Sequence, residues 1–400
     1  MPPARIRVAI VNESADPARG GAETSIREMA DALAACGAQV TLVHAAPQGP
    51  GAPAGESGEA GVREFAIVVG GGGRAARTRE FLRAAGTLAA GGGFDIVHAV
   101  TPLPGAQVYQ PRGGTVAETI RRSDALAGRG VGGWLRRAAR RFNARQQLLL
   151  REERRMLGGM GATWVAPVSE YGARQIRDEY PSASGRIRAV FNAIRVEAVP
   201  VVGDAEQRAI ARERLGLPQD ARIGAFCAHN FRLKGLRELL AAVAALPALE
   251  RPMIAIIGRG DVGAFRRQSA QLGIETRVKF CGPAPAATWT VAADLLAHPT
   301  WYDPCSRVVL EAVAAGLPVV TTAYNGAAEL LPRAAAAAGG PTGFVVDEPS
   351  NIDALAAALR SAGDPAVALA ARRATAEMRA ICSMERHARE LMVVYERARR

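Results

Sequence analysis

The residue types best suited to chemistry concentrate in one run of the 400-residue chain, His298-Pro299-Thr300-Trp301-Tyr302-Asp303-Pro304-Cys305-Ser306-Arg307-Val308-Val309-Leu310-Glu311. A strand-like apolar segment leads into it and a helix-like one leaves it, so the run reads as a strand-to-helix turn. Asp303 is a favoured N-cap type and Pro304 suits the first helical position, which predicts a helix over Cys305–Ala315. The open N–H groups of Cys305, Ser306 and Arg307 at the positive end of that helix would seat an anion. Glu311 falls two turns in, on one stripe with Pro304 and Arg307, inside the otherwise apolar V-V-L-E-A-V-A-A-G. A carboxylate there wants a partner, and the two hydroxyls of a ribose would serve. The plainer reading is that Asp303 only caps the helix and Glu311 only pairs with Arg307 at i,i+4.

Two further segments fit an anionic ligand. Asn230-Phe231-Arg232-Leu233-Lys234-Gly235 follows the strand pattern Ile223–Cys227. There Lys234 offers a compact charge and Arg232 a fork, enough to neutralise a diphosphate unless the segment is a solvated turn. Arg19-Gly20-Gly21-Ala22-Glu23 follows the first strand pattern, and Gly20 and Gly21 allow close backbone approach to a phosphate or a sugar, or merely a tight turn. Neither strand is followed by G-x-G-x-x-G, which counts against a nicotinamide dehydrogenase, and no P-loop is present. His98, near the end of the strand pattern Phe94–Val100, is a candidate for proton transfer or a structural histidine. Tyr109-Gln110-Pro111-Arg112-Gly113-Gly114 ends another strand in a basic loop, where Arg112, Gly113 and Gly114 are candidate substrate contacts.

The elements that must position these residues alternate along the chain. Strand patterns at Ile6–Val11, Gln39–Ala45, Phe65–Val69, Phe94–Val100 and Thr163–Val168 are separated by helical spacing, with a Gly/Pro-rich loop over Ala46–Gly61 and an arginine-rich helix over Arg136–Met156. Near Phe191-Asn192 the alternation restarts, with strands Ile223–Cys227, Met253–Ile257, Arg277–Phe280, Leu295–Ala297, Pro318–Thr322 and Gly343–Val346. Two such series predict an α/β protein of two doubly wound, Rossmann-like domains facing across a cleft, residues 1–192 and 193–383. The amphipathic helix Met384–Arg400 is expected to cross back to the first domain. Ligands of such sheets sit at the carboxyl ends of strands, where all the segments above lie.

Composition narrows the class. Apolar residues make up 49% and charged residues 22%, as in globular proteins rather than disordered chains or coiled coils. Five cysteines, an odd count with no C-x-x-C pair, exclude a disulfide scaffold and a cysteine zinc site and fit a reducing cytoplasm. Neither a signal-peptide core nor a run approaching about 18 charge-free apolar residues is present. Net charge is +12, and between Arg112 and Arg155 twelve arginines stand against four acids. That patch suits a phosphate-rich partner such as nucleic acid, anionic lipid or a phosphorylated glycan.

Together, H-P-T-W-Y-D-P-C-S-R-V-V-L-E-A-V-A-A-G-L-P-V-V-T-T, F-R-L-K-G and G-G-A-E resemble glycosyltransferase family four. Within that family, F-R-L-K-G and N-G-A-A-E-L (Asn325–Leu330) are most similar to the lipopolysaccharide core glucosyltransferases. The resemblance implies a GT-B fold and retaining transfer of a hexose, glucose by this likeness, from a UDP-sugar to a glycan or glycolipid, with neither cofactor nor metal. It implies an acceptor-binding first domain and a nucleotide-sugar-binding second one. The family's E-x7-E motif falls on Asp303 and Glu311, so Glu311 would hold the ribose and Asp303 the donor sugar's hydroxyls. Arg232 and Lys234 would stabilise the leaving diphosphate, aided by the helix start at Ser306–Val308 and the Gly20-Gly21 loop. Asp stands where the family usually has Glu, and the usual H-x-H is His98-Ala99-Val100. The expected partners are therefore a nucleotide sugar, a glycan or glycolipid acceptor, and an anionic cytoplasmic membrane face met through Arg112–Arg155. Two other readings are a sugar-nucleotide epimerase, which needs no acceptor, and a nucleic-acid binder. The basic patch holds few aromatics (Trp134, Phe142) and no nucleic-acid motif, so nucleic acid is not expected as a partner.

Overall fold

Four of the five residues in Arg7–Val11 (β1) are buried, as in a strand covered on both faces of a parallel sheet. The computed structural model describes residues 5–14, 21–47, 55–57, 61–126, 143–159 and 161–399. The chain divides into two compact units, Met1–Asn192 with Met384–Arg400, and Ala193–Ser383. In the first, β1 is followed by β2 (Gln39–Pro47), β3 (Gly55–Ser57), β4 (Val62–Val69), β5 (Ile96–Ala99), β6 (Val108–Tyr109) and β7 (Trp164–Val165). They form one sheet in the order β3-β4-β2-β1-β5-β6-β7, parallel except for β3. In the second, β8 (Ile223–Cys227), β9 (Met253–Ile257), β10 (Val278–Gly282), β11 (Leu295–His298), β12 (Val319–Thr322) and β13 (Gly343–Val346) lie in the order β10-β9-β8-β11-β12-β13, all parallel. Set aside the edge strand β3 and both sheets have the doubly wound order 3-2-1-4-5-6, which reverses between β1 and β5 and between β8 and β11.

Each sheet buries both faces. In the first unit, helices Arg74–Ala90, Ala144–Leu157 and Glu170–Glu179 close one side through Phe81, Leu149, Leu157 and Ile176. Helices Gly21–Ala35 and Met384–Ala398 close the other through Ile26, Met29, Leu391 and Val394. The C-terminal helix thus belongs to the first unit's core, although the whole second unit separates it in sequence. The Gly/Pro-rich stretch expected as loop is shorter than composition suggests, because β2 runs through Pro47 and Gly55–Ser57 pairs antiparallel to β4. Backbone pairing makes that edge, and no apolar alternation announces it. Of the arginine-rich helix, Ala144–Leu157 is described; Arg136, Arg137, Arg140 and Arg141, with Trp134 and Phe142, lie outside the described residues.

The C-terminal helix brings polar chemistry into this core, and His98 and Arg112 both meet it. His98 is fully buried on the face that the helix covers, its Nδ1 2.6 Å from the Tyr395 hydroxyl and its ring edge-on to that tyrosine. Its described partner is thus a residue of the C-terminal helix. Arg112 is also buried instead of lying in an open loop. Its guanidinium donates to Gln110 Oε1 (2.7 Å), Asn192 Oδ1 (2.7 Å) and Ser25 Oγ, and lies 3.2 Å from His387 Nε2. A planar fork reaches several acceptors at once, which suits it to join four segments of one core. Arg386 adds bonds to the carbonyls of Phe191 and Asn192, both at 2.9 Å.

Burial, and then the Arg112 charge, hold the His98 imidazole down to about 3, and the same causes hold His387 well below the ordinary histidine value. Both are neutral in the folded unit, whereas an unfolded histidine takes a proton near pH 6.5. Stability is therefore complete above that pH and declines as pH falls through it, by up to about 1.4 kcal/mol per pH unit for each histidine. Urea unfolding at pH 7, 6 and 5 should show this decline, and His387→Gln should flatten it by about a third, because His298 in the second unit is buried and held low as well. A stability independent of pH across that window would contradict two neutral buried imidazoles.

Candidate functional site

In a doubly wound sheet the loops leaving the strands on either side of the order reversal diverge and leave a crevice. In the second unit those strands are β8 and β11, and their carboxyl-end loops carry the Lys234 and Asp303 segments. Gly235, at φ 79°, makes their close approach possible, since a Cβ there would overlap the Pro299 carbonyl. Trp301 N–H then donates to the Leu233 carbonyl at 2.9 Å. The loop after β12 completes the site: Asp303 N–H donates to Tyr324 O (2.9 Å) and Gly326 N–H to Asp303 O (3.0 Å), a short parallel bridge. Thr322 Oγ1 donates to Thr300 O at 2.6 Å and Thr321 Oγ1 to His298 O at 2.9 Å.

The centre of this arrangement is an ion pair. Lys234 Nζ donates to Asp303 Oδ2 at 2.7 Å and to the Tyr302 carbonyl at 3.0 Å, with 19% and 16% of the two side chains exposed. Asp303 Oδ1 accepts Cys305 N–H at 3.2 Å, and His298 Nε2 lies 3.8 Å from Oδ2 and 3.3 Å from Ser306 Oγ. Burial alone would raise the Asp303 carboxyl, but the Lys234 charge and the His298 and Lys234 bonds outweigh it and hold it well below the usual range. His298 is fully buried and its imidazole is held low by that burial. The site thus keeps a carboxylate against the Lys234 ammonium, of whose three N–H bonds two are used within the loops.

The helix begins later than its sequence signals suggest. It spans Arg307–Ala315 with Ser306 as N-cap, so Asp303 does not cap it. Pro304 is not its first residue either. Two of the three amides expected to seat an anion are already engaged, Cys305 N–H by Asp303 Oδ1 and Ser306 N–H by Asn325 Oδ1 at 3.1 Å. Tertiary pairing with the β12 loop draws Asp303 into a bridge and moves the start of the helix by one turn. The first i→i−4 bond runs from Leu310 N–H to Ser306 O, so the amides of Arg307, Val308 and Val309 precede it. Val308, on the side left half-buried, remains a candidate for anion contact; Arg307 Nη1 reaches the Ala193 carbonyl at 3.3 Å.

Glu311 is half-buried, and its charge is felt by the Cys227 thiol, which burial first and Glu311 second push well up. Glu311 lies on the Arg307–Ala315 helix, which follows the Asp303 loop. Arg232 is exposed on the β8 loop. In the first unit, Gly20 lies outside the described residues and Gly21 opens helix Gly21–Ala35. Gly113 is exposed, and Gly114, at φ 84°, closes a turn on Pro111 O (3.0 Å) beside the buried Arg112. Asn325, which the sequence singles out only within the N-G-A-A-E-L motif, accepts Ser306 and Ala327 N–H (both 3.1 Å) and donates to Thr321 Oγ1 (3.0 Å) through its side chain. Sequence reasoning passed over Glu13 and Thr101 at the carboxyl ends of β1 and β5, joined by Glu13 N–H to Thr101 Oγ1 at 3.0 Å. Their position at strand ends was the available signal.

Two family models match this chain, "Glycosyltransferase Family 4" over residues 19–198 and "Glycosyl transferases group 1" over residues 207–366. A D-inositol 3-phosphate glycosyltransferase of Streptomyces avermitilis is 34% identical over 53% of this chain and 47% of its own length. The lipopolysaccharide glucosyltransferase WaaG of Escherichia coli (strain K12) is 31% identical over 39% of this chain and 41% of its own. The chain therefore spans under half the length of these curated relatives. Among solved structures, Anabaena Alr3699/HepE in complex with UDP-glucose superposes with a TM-score of 0.68 at 17% identity, covering 97% of this chain and 100% of that one.

The ion pair makes a direct test of the local geometry. Lys234→Met leaves the partly buried Asp303 carboxylate without its cation and should destabilise the second unit by about 2–3 kcal/mol. Adding Asp303→Asn should recover much of that loss in a double-mutant cycle. Additive losses in urea unfolding would show that the two groups do not act as a pair.

Proposed function

We infer, for a chain that belongs to the family 4 and group 1 glycosyltransferases, that it transfers a hexose with retention of configuration from a UDP-sugar to a glycan or glycolipid acceptor. The observation that carries this is the Lys234–Asp303 pair at the order reversal of the second sheet, with Glu311 on the helix that follows the Asp303 loop. Negative charge grows on the diphosphate as the glycosidic bond breaks, so cations and dipoles fixed in advance are the main catalytic requirement. Arg232 and the remaining N–H of Lys234 supply the cations, and the Val308 amide at the helix start supplies the dipole. Asp303, kept ionised, accepts hydrogen bonds from the donor sugar's hydroxyls. Glu311 accepts them from the ribose. Neutralisation of the leaving group is assigned to these groups and not to a metal. Glucose as the sugar and lipopolysaccharide as the product follow from the likeness to the core glucosyltransferases.

The acceptor side is assigned to the first unit, at Arg112 and the Gly113–Gly114 turn, and the Gly20–Gly21 loop is assigned to the donor's diphosphate. Elsewhere in the first unit, helices Arg74–Ala90 and Ala144–Leu157 pack together. Arg74, Arg77, Arg83, Arg151 and Arg154 on them are exposed, and their side chains make no hydrogen bond or ion pair among the described residues. This basic surface suits an anionic membrane face that carries a glycolipid acceptor, at roughly 1 kcal/mol per arginine near the surface. No described helix is long and apolar enough to cross a membrane.

A panel of UDP-, GDP-, ADP- and dTDP-sugars in thermal shift tests the donor assignment. A UDP-sugar at 100 times its dissociation constant should add about 2.7 kcal/mol of stability, and Glu311→Ala should remove the shift. Silence from every nucleotide would sink the transferase reading, and conversion of the sugar nucleotide without acceptor would replace it with an epimerase. Sedimentation with anionic vesicles tests the membrane surface: reversing charge at Arg74, Arg77, Arg83 and Arg151 should leave the protein in the supernatant, and unchanged pelleting would exclude that surface.

A further inference from the structure

The second sheet has an opposite edge that the donor site does not use. At the amino ends of three adjacent strands, β8, β11 and β12, lies a cavity of about 450 Å³, bordered by Arg222, Asp294 and Pro318 immediately before those strands. That volume falls within the range of small-molecule sites and exceeds what a water or a single inorganic ion fills. Four guanidiniums line it, from Arg208, Arg212, Arg222 and Arg372, against three carboxylates.

Most of the acid is already committed. Asp294 pairs with Arg208 (2.5 Å) and Arg212 (2.9 Å) and accepts Ile223 N–H at 2.7 Å. Asp204 caps the helix Ala205–Leu215 through Glu206 and Gln207 N–H. Only Asp220, exposed at the rim, has a carboxylate not engaged in these bonds. The cations divide differently. Arg212 is 1% exposed and spends its donors on Asp294 and on the carbonyls of Ala292, Pro218, Gln219 and Ala221. Arg222 bonds a single carbonyl, that of Glu250, and Arg372 is exposed with no hydrogen bond or ion pair among the described residues. Guanidiniums carry five N–H donors each, so both have donors left over toward the cavity. The backbone makes room for one of them, since a Cβ at Gly363 would collide with Arg222 Nη1.

We infer that this cavity binds a small phosphate ester of the sugar monophosphate class, with Arg222 and Arg372 as the phosphate ligands and the remaining volume taken by the polyol. Forked donors match the tetrahedral oxyanion, and charge-assisted bonds of this kind are the strong ones. The site is separate from the donor crevice, because the two lie at opposite ends of the same strands.

Isothermal titration of the full chain with glucose 6-phosphate and with inorganic phosphate tests it. One equivalent of glucose 6-phosphate should bind saturably and more tightly than inorganic phosphate. Arg372→Gln, which removes no contact within the fold, should weaken binding about tenfold or more, as loss of a charged hydrogen bond does. Arg222→Gln should do the same, with its melting temperature checked because the Glu250 carbonyl loses its donor. Glu311→Ala, which disables the donor crevice, should leave this binding unchanged. Equal affinity for the two ligands would reduce the cavity to an anion hole and overturn the ester assignment. Loss in Glu311→Ala with retention in Arg372→Gln would move the ligand to the donor crevice, and absence of saturable binding would overturn the site outright.

Discussion

An ammonium and a carboxylate held 2.7 Å apart, each mostly shielded from water, must be placed by something stiffer than their own side chains. Lys234 and Asp303 sit on different loops, sixty-nine residues apart, and neither loop has regular structure to hold it. What holds them is the strand order. The reversal between β8 and β11 sets the two loops side by side, and the third loop, after β12, is bridged to Asp303 by backbone bonds. Hydroxyls of Thr300, Thr321 and Thr322 and the side-chain oxygen of Asn325 then satisfy the backbone groups that such buried loops would otherwise leave unpaired. Without that pairing the desolvation of the two charges would oppose folding instead of being offset by their attraction.

The same constraint explains why the helix after Asp303 begins where it does. An N-cap competes for its acceptor with any tertiary donor or bridge nearby. Asp303 accepts Lys234 Nζ and Cys305 N–H while its backbone is paired with the β12 loop, so the chain enters the helix at Ser306. The consequence is chemical. Cys305 and Ser306 amides serve the loop, and the amides at the helix start, Val308 among them, remain ahead of the first helical bond.

The two units repeat one strand order and use it differently. In the first, the face next to β5 is closed by a helix from the far end of the chain, and the polar groups that come with it, His387 and Tyr395, need partners inside the core. Arg112 and His98 provide them. A basic residue in a glycine-rich loop and a histidine at a strand end carry the same sequence signal whether they face a ligand or a buried helix. Only the packing distinguishes the two cases.

Much of the fold was legible because it rests on local periodicity. Runs such as Ile223–Cys227 and Met253–Ile257 are apolar without alternation, which only a strand buried on both faces tolerates, and helical spacing between them implies parallel crossovers. The site segments were legible too, because strand ends in such sheets are where ligands bind, so Lys234, Asp303 and Glu311 stood out by position and type. The edge strand β3, the displaced helix start, the inward turn of His98 and Arg112, and the role of Asn325 were not. Each depends on a partner far away in sequence: β4, the β12 loop, or the C-terminal helix. Periodicity and residue type report how a segment meets its own neighbours along the chain. Which buried polar group meets which is decided only when distant segments compete for the same hydrogen bonds.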